Sequence, residues 1–295
     1  MRSSCHLVTR RASARGGTPI PAQLFIQFDR AGASYHPGEV VRGALRVRAR
    51  TELRPRDITL RASGDEITSL GPNVLMTEHT HPFDLSFHVW TPSADQDKLP
   101  VGDHTFPFEF ALPANLPPTF NGELTTIAYR LEAKINRPLA TDLRAEQKLI
   151  VRMPPPGDAD KPRRASASLS TGSTLELELN ASGYCPGDHV LGALRVIGAH
   201  AAVKTAIVEV VSREKGAARE FADHVEQVRV RAEIDPAQLR GGASYPIDLP
   251  LPDDADPSFV AQHSSKTRSV RAAITLADGQ IVTAETSIRV GQRAP

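Results

Sequence analysis

The most constraining feature of this sequence is an internal duplication. Residues 35–47 read YHPGEVVRGALRV and residues 184–196 read YCPGDHVLGALRV, so nine of thirteen positions are identical. A second matching pair, residues 106–120 and 245–259, follows in the same order in each half. Repeated motifs in a repeated order indicate that one structural unit occurs twice. The chain has 295 residues, about twice the length of a typical domain, which leaves room for two copies.

Alternation of apolar and polar residues predicts that both copies are built from β-strands. Residues 175–179 read LELEL, and Val41, Leu45 and Val47 alternate with polar neighbours in the same way. The chain holds 24 Pro and 20 Gly residues, which recur too often to leave room for long helices. One short helix is still predicted within residues 217–227. The pattern as a whole predicts an all-β fold with two tandem β-sandwich domains.

The predicted domain boundaries follow from local composition. Residues 1–18 hold four arginines and no acidic residue, which predicts a disordered basic N-terminus. Residues 152–173 hold four prolines and many small polar residues without apolar periodicity, which predicts an inter-domain linker. The two sandwich domains are therefore predicted at residues 19–151 and 174–291.

Charge and hydropathy argue against several classes of partner. Lys+Arg total 35 and Asp+Glu total 34, so the whole chain offers no electrostatic basis for binding nucleic acid or an anionic membrane. No run approaches the roughly eighteen apolar residues that a transmembrane segment needs. We therefore expect neither nucleic acid as a partner nor a transmembrane segment.

The same features suggest a cytoplasmic location. The N-terminus lacks the apolar stretch of a secretory signal, although its acid-free, arginine- and serine-rich composition also fits an organelle transit peptide. Cys5 and Cys185 are interpreted as free thiols in a reducing compartment. The use of 28 Arg against 7 Lys favours a bacterial source.

Several stretches resemble the N-terminal domain of the arrestin superfamily, and in particular the arrestin-domain-containing proteins, or α-arrestins. They are VW at residues 89–90, LPVGDHTFPFEFALPANLPPTFNG at residues 99–122 and IAYRLEAKINRP at residues 127–138. Residues 35–47 and 56–67 are similar to the early strand pair of that family, and the second copy repeats the pattern more weakly, as arrestin C-domains do. The resemblance covers most of residues 20–290. It implies an immunoglobulin-like topology for both sandwiches.

The resemblance also implies a function. Arrestin-like proteins are non-catalytic adaptors or scaffolds that bind a protein client through concave sandwich faces and strand edges, without a cofactor. An alternative stays open: a β-sandwich enzyme or a small-molecule binder, for example of carbohydrate, with a site between the two domains. The sequence contains neither a G-x-S-x-G nucleophile motif nor a glycine-rich phosphate loop, so no catalytic residue is predicted.

Arg46, Arg48 and Arg50 form the predicted partner-binding site. They alternate along one predicted strand and therefore share the face opposite its apolar residues. In the second copy Arg46 is matched by Arg195, but Arg48 is matched by Ile197, so shared packing does not require the stripe. A guanidinium pairs well with carboxylate and phosphate, which favours an acidic or phosphorylated protein partner. A solvated face without a partner is the alternative.

Two further patterns are compatible with a metal ion. His79 and His81 lie two apart on a predicted strand, where His88 or His104 would supply a third ligand. The acidic run at residues 253–256 is similar to a calcium-binding turn, but it aligns with an ordinary proline-rich connection of the first copy. For His79 and His81, the alternative is a surface hairpin that carries polar histidines at the same spacing. The expectation is that the protein binds no metal ion and no cofactor.

Overall fold

The computed structural model describes residues 21–70, 76–169, 172–198 and 203–293. The predicted basic N-terminus, residues 1–18, lies outside the described residues. The described parts form two β-sandwiches that follow one another along the chain, which confirms the predicted all-β fold with two tandem sandwich domains. They contain no helix with the length and hydropathy that a bilayer-spanning segment requires.

The first sandwich packs a small sheet against a larger one. Its strands are β1 (Ala22–Phe28), β2 (Ser34–Tyr35), β3 (Val40–Ala49), β4 (Asp57–Leu70), β5 (Met76–Trp90), β6 (Gly102–Ala111), β7 (Phe120–Asn121), β8 (Thr125–Asn136) and β9 (Leu143–Val151). The small sheet has the order β1-β3-β6, and the larger sheet has the order β2-β9-β8-β4-β5 with β7 paired to β8. A short 3-10 helix, Ala31–Ala33, precedes β2.

The second sandwich repeats this arrangement with one additional strand. Its strands are β10 (Arg163–Ser168), β11 (Thr174–Leu179), β12 (Gly183–Tyr184), β13 (His189–Ile197), β14 (Val203–Ala218), β15 (Phe221–Ile234), β16 (Tyr245–Pro250), β17 (Phe259–Val260), β18 (Ser264–Leu276) and β19 (Ile281–Val290). One sheet has the order β10-β11-β13-β16, and the other has the order β12-β19-β18-β14-β15 with β17 paired to β18. A short 3-10 helix, Pro236–Gly242, follows β15.

The pairing register shows that the two sandwiches are structural copies. Val47 of β3 lies opposite Leu24 of β1, and Val196 of β13 lies opposite Leu175 of β11. The duplicated sequence motif therefore occupies equivalent strands. Residues at equal register positions in the two domains can be compared directly.

The short helix predicted within residues 217–227 is wrong. These residues form the hairpin between β14 and β15, with Ala217 paired to Ala222 and Arg219 in the turn at a φ of 55°. The long β14 offers β15 a continuous ladder of backbone partners. That pairing outweighs the approximate helical spacing of a few apolar residues.

The segment predicted as a linker, residues 152–173, contains a strand of the second sandwich. β10 pairs antiparallel with β11 over its whole length. Ala165 and Ala167 pack against the second core, whereas Arg164 and Ser166 face outward. Alanine and serine are both small and weakly strand-forming, so their alternation gives little signal for a strand in the sequence.

Candidate functional site

The three arginines of the predicted site lie on the exposed face of the small first-domain sheet. Arg46, Arg48 and Arg50 are exposed, while the residues that alternate with them, Leu45, Val47 and Ala49, are 0%, 1% and 3% exposed. The strand buries its apolar side and keeps its guanidinium groups in water, because an unpaired buried arginine would be very costly. The structure thus places the arginine stripe, defined as Arg46, Arg48 and Arg50, on a solvent-facing surface.

Neighbouring acids neutralise this stripe only in part. Arg48 Nε donates to Asp103 Oδ1 at 2.9 Å, and these side chains are 62% and 71% exposed. Arg46 and Arg50 form no ion pair with any residue that the structure describes. Arg46 instead lies beside Phe25 of β1, which is 43% exposed. The surface therefore combines positive charge with an exposed aromatic ring.

β1 is an edge strand with unpaired backbone groups. Asp29 N donates to Arg42 O at 3.0 Å, which fixes the alternation of ladder bonds between β1 and β3. The backbone groups of Leu24, Ile26 and Phe28 therefore point away from β3. No strand within the described ranges pairs with this edge. An edge of this kind is a template for strand addition.

The equivalent edge of the second sandwich is covered by the chain itself. There β10 pairs with β11, and Leu175, Leu177 and Leu179 of β11 are fully buried. Their counterparts on β1 are only half-buried. A strand added to β1 would remove that difference in burial.

The outward-facing residues of the two edges differ in charge. β11 carries Glu176 and Glu178, and Arg164 Nη2 of β10 donates to Glu178 Oε1 at 2.8 Å. The matching positions on β1 are Phe25 and Gln27, next to the arginine stripe on β3. The second-domain edge therefore accepts a basic strand, whereas the first-domain edge offers an apolar and positive surface.

His79 and His81 of β5 meet Asp65 of β4 on the exposed face of the larger first-domain sheet. His79 Nε2 and His81 Nδ1 lie 3.2 Å and 2.8 Å from one carboxylate oxygen, Asp65 Oδ1. Arg130 Nη1 of β8 donates to the other oxygen at 2.5 Å. Burial acts to raise the pKa of Asp65, but the hydrogen bond from His79 and the charge of Arg130 outweigh it and lower that pKa. Asp65 is therefore ionised at neutral pH.

The other two histidines considered as ligands do not join this cluster. His88 lies further along β5, opposite Thr59. His104 lies on β6 in the other sheet, with its Nε2 at 2.8 Å from Pro100 O. Sequence spacing identified His79 and His81 but could not identify Asp65, because the register between strands is not visible in spacing along one strand.

The acidic turn of residues 253–256 is flanked by arginines. Arg268, which is 2% exposed, donates through Nε and Nη2 to Asp256 O at 3.2 Å and 2.9 Å. Arg229 Nη2 lies 3.6 Å from Asp254 Oδ1. The guanidinium groups of Arg268 and Arg229 would repel a cation bound at this turn. The turn is held by protein groups and offers a poor calcium site.

Cys185 has the structural role of a turn residue. Its backbone N–H donates to Asp188 Oδ2 at 2.7 Å, just as His36 N donates to Glu39 Oε2 at 2.7 Å in the first copy. The side chain is 6% exposed, and burial raises the pKa of its thiol. A buried, protonated thiol is a weak nucleophile. Cys5 lies outside the described residues.

Two buried glutamates join the domains, and neither was predicted from the sequence. Glu66 Oε1 of β4 accepts from His263 N at 3.1 Å and from Ser264 Oγ at 2.7 Å, in the turn between β17 and β18. Glu66 is 1% exposed and Glu214 of β14 is 2% exposed. Their signal in the sequence is a glutamate at the equivalent position of the two copies, four residues before Leu70 and Ala218, the last residues of β4 and β14.

Glu214 makes the reciprocal contact with the first domain. Its carboxylate accepts from Glu123 N at 3.1 Å and from Leu124 N and Thr125 N at 2.9 Å each, in the turn between β7 and β8. Lys266 Nζ lies 3.5 Å from Glu214 Oε2. Protein donors thus occupy both inter-domain carboxylates, which fits a role in joining the domains.

Comparison with known proteins relates this architecture to a family. Residues 24–154 match the family model described as "Arrestin (or S-antigen), N-terminal domain". "Arrestin domain-containing protein 17" of Caenorhabditis elegans is 24% identical over 249 residues, which cover 74% of this chain and 58% of that protein. "Arrestin domain-containing protein 1" of Homo sapiens is 32% identical over 118 residues, which cover 39% of this chain and 26% of that protein. The chain thus spans less than two thirds of either relative's length.

The match covers the first sandwich, and the second sandwich is a structural copy of the first. The nematode relative aligns over 74% of the chain, which extends the similarity beyond the first domain. These findings confirm the resemblance seen in the sequence: the first sandwich matches the arrestin N-terminal domain, and most of the chain is similar to an arrestin domain-containing protein.

Proposed function

We propose that this protein is a non-catalytic adaptor that binds an extended, acidic or phosphorylated segment of a protein client along β1 and the arginine stripe. Its similarity to arrestin domain-containing proteins supports the adaptor role. One observation carries the binding site. The same edge position takes up β10 in the second sandwich, while no described strand covers it in the first.

The backbone of β1 supplies the main-chain part of the interaction. An extended segment would pair with the outward-facing groups of Leu24, Ile26 and Phe28 as β10 pairs with β11. Main-chain hydrogen bonds then give affinity, and alternate side chains give specificity. The inward-facing side chains of the client should be small or apolar like Ala165 and Ala167, because they would cover half-buried residues at the edge of the core.

The outward-facing side chains of such a segment should be acidic. A strand added to β1 would lie two strand spacings, about 10 Å, from β3. A glutamate or phosphoserine side chain that leans across β1 can meet an arginine that leans from β3. Arg46 and Arg50 are available for this pairing, because no acidic residue in the described ranges engages them. The guanidinium groups would also steer an acidic segment toward the edge.

The alternative of an enzyme or carbohydrate binder with a site between the domains has less support. Glu66 and Glu214, which converge there, are buried and engaged by amide, hydroxyl and ammonium donors. A catalytic carboxylate has to reach its substrate, whereas these two are closed in by donors of both domains.

Two further parts of the proposal concern location and partner class. We place the adaptor in the cytoplasm, since Cys185 is a free and buried thiol. We propose a protein client rather than nucleic acid, since 35 basic and 34 acidic residues nearly balance.

A pair of short synthetic peptides tests the proposed site. One alternates valine with glutamate and the other alternates valine with lysine. The glutamate peptide should bind, more weakly as salt rises, and the lysine peptide should not. Hydrogen exchange should show new protection of the Leu24, Ile26 and Phe28 amides on binding of the glutamate peptide.

A triple variant tests the arginines themselves. Replacing Arg46, Arg48 and Arg50 together by Ser should leave the fold intact and weaken binding of the glutamate peptide by roughly tenfold, since each exposed charge pair contributes modestly. Arg195→Ser is the matched control in the second domain and should bind as wild type. Unchanged affinity of the triple variant at low salt would show that the stripe is a solvated face. Protection at another strand edge would place the client elsewhere.

A further inference from the structure

The cluster of Asp65, His79 and His81 has the donor types and the spacing of a metal site. Asp65 Oδ1, His79 Nε2 and His81 Nδ1 all lie within 4.8 Å of one another. The carboxylate oxygen is 3.2 Å from one nitrogen and 2.8 Å from the other. In a tetrahedral site with ligand bonds of about 2.0–2.2 Å, neighbouring donor atoms stand about 3.3–3.6 Å apart. Small side-chain rotations would therefore bring all three donors onto one ion.

The local backbone explains why these side chains converge. His79 and His81 are two apart on β5 and share its outer face. The pairing of β4 with β5 shifts register between Gly64 and Glu66, so that Asp65 faces both His81 and the residue after it. That residue is Pro82, which lacks an N–H and is tolerated where the ladder is interrupted. A bulge of this kind re-aims side chains, and here it turns His81 toward Asp65.

The cluster combines a buried carboxylate, held in place by Arg130, with two solvent-accessible imidazoles. The Asp65 side chain is 10% exposed, while those of His79 and His81 are 50% and 54% exposed. Arg130 holds the second carboxylate oxygen and so fixes the orientation of the first. Outer partners of this kind commonly orient metal-binding carboxylates. The positive charge of Arg130 opposes a cation, and we therefore expect weaker binding than at a site with a neutral outer partner.

The donor set selects the class of ion. Two imidazole nitrogens and one carboxylate oxygen suit zinc and other divalent first-row transition metals, whereas calcium and magnesium prefer all-oxygen sites. Three protein ligands leave at least one coordination position, and the exposure of both histidines gives water access to it. A cluster without metal would instead hold two imidazole N–H groups that donate to the same oxygen.

We propose that Asp65, His79 and His81 bind a divalent first-row transition metal ion, with Zn²⁺ as the representative ion. The proposal reverses the expectation of no metal, which rested on histidine spacing alone. The new observation is the third ligand, a buried carboxylate from the neighbouring strand.

Metal titration of the full chain tests this site directly. Metal-free protein is titrated with Zn²⁺ by calorimetry and with Co²⁺ by visible absorption, in a background where Cys5→Ser and His6→Gln remove possible ligands near the N-terminus. We expect one ion per chain, release of protons on binding, and a Co²⁺ spectrum of low coordination number. His79→Gln and His81→Gln should each abolish this binding. Both are half-exposed positions, so the variants should keep the unfolding midpoint of the metal-free parent.

Matched controls separate this site from adventitious binding. His88→Gln removes a histidine from the same strand, and His104→Gln removes one from the other sheet. Asp84 lies on the same strand as the two histidines, and Arg61 of β4 already holds its carboxylate at 2.5 Å. Asp84→Asn removes this carboxylate. All three should bind one ion like the parent. The proposal is overturned if the parent binds no ion, or if binding survives in the His79→Gln/His81→Gln double variant.

Discussion

Glu66 and Glu214 occupy equivalent positions in the two sandwiches, and each carboxylate reaches into a turn of the other domain. Glu66 lies opposite Ile127 on β8, and Glu214 lies opposite Lys266 on β18. Each glutamate caps a turn that leads into the strand paired with its counterpart. The duplication that built the two domains thus also built a reciprocal contact between them. The domains are held by buried hydrogen bonds as well as by the connecting segment.

The two glutamates should differ in their contribution to stability. Glu214→Ala leaves three backbone amides without an acceptor and Lys266 without its partner, and breaking a buried charge pair costs about 3–5 kcal/mol. Glu66→Ala leaves the His263 amide and the hydroxyl groups of Thr80 and Ser264 without an acceptor. These donors are neutral, so the expected cost is about 1–3 kcal/mol. Urea unfolding should therefore show a greater loss for Glu214→Ala than for Glu66→Ala.

A second substitution distinguishes the effect of an unpaired buried charge from the effect of lost packing. Lys266→Met in the Glu214→Ala background removes the unpaired ammonium group and should recover part of the lost stability. A cavity effect alone would not be relieved by this change. Equal losses for the two glutamate variants, without recovery, would contradict the assignment of Glu214 as the stronger contact.

Phe120 and Phe259 should couple the domains through their rings. They are equivalent residues of the two copies, and their centroids lie 4.9 Å apart with an interplanar angle of 64°. Edge-to-face pairs of this kind contribute about 0.5–1.5 kcal/mol beyond buried area. A double-mutant cycle with Phe120→Leu and Phe259→Leu should measure coupling in this range. The same cycle between Phe83 and Phe259 is the control, and additive effects for Phe120 and Phe259 would exclude direct coupling.

The sequence was most informative where a pattern repeats along one strand. The duplication and the alternation around Leu45 predicted the two sandwiches, and the exposed face of Arg46 and its neighbours followed from the same alternation. Contacts that depend on register between strands or on domain packing were not predictable. Asp65 joins His79 only through strand pairing, and Glu214 meets the first domain only after both sandwiches have formed.

Arg213, Glu226 and Glu285 form a charge network in the second domain. This network should make the stability of that domain fall as the pH is lowered. Hydrogen bonds from Arg213 hold the pKa values of Glu226 and Glu285 below their ordinary range. In the unfolded chain both carboxyl groups return to ordinary values, so the unfolded state binds more protons in acid. The stabilisation is present above the ordinary glutamate pKa of about 4.3 and is lost as pH falls toward the lower folded values.

Replacing the arginine tests this linkage. Arg213→Met should lower the free energy of unfolding at neutral pH and should flatten its fall between about pH 5 and pH 3. Urea titrations across this range give both quantities. Arg164→Met removes an exposed arginine paired with Glu178 on the other sheet and serves as the control. A variant that keeps the steep acid dependence of the parent would show that other groups dominate it.

The last prediction concerns β10, whose removal should turn the second-domain edge into a counterpart of the first. Ala165→Glu and Ala167→Glu together would place charges against the second core and should detach β10 from β11. Leu175 and Leu177 would become partly exposed, at a cost of roughly 1–3 kcal/mol. Their amides should then exchange faster, while Ser166→Lys, an outward-facing change on the same strand, should leave exchange unchanged. Unaltered exchange in the double variant would mean that β10 contributes little to the edge.

The freed edge should also differ from β1 in selectivity. Its outward residues Glu176 and Glu178 now pair with a basic strand, so the double variant should bind the valine–lysine peptide at β11. The first-domain edge should continue to prefer the valine–glutamate peptide, because the stripe on β3 is unchanged. Opposite preferences at two edges of the same backbone geometry would show that side-chain charge selects the added strand. Binding of the lysine peptide to β1 instead would contradict the role proposed for Arg46.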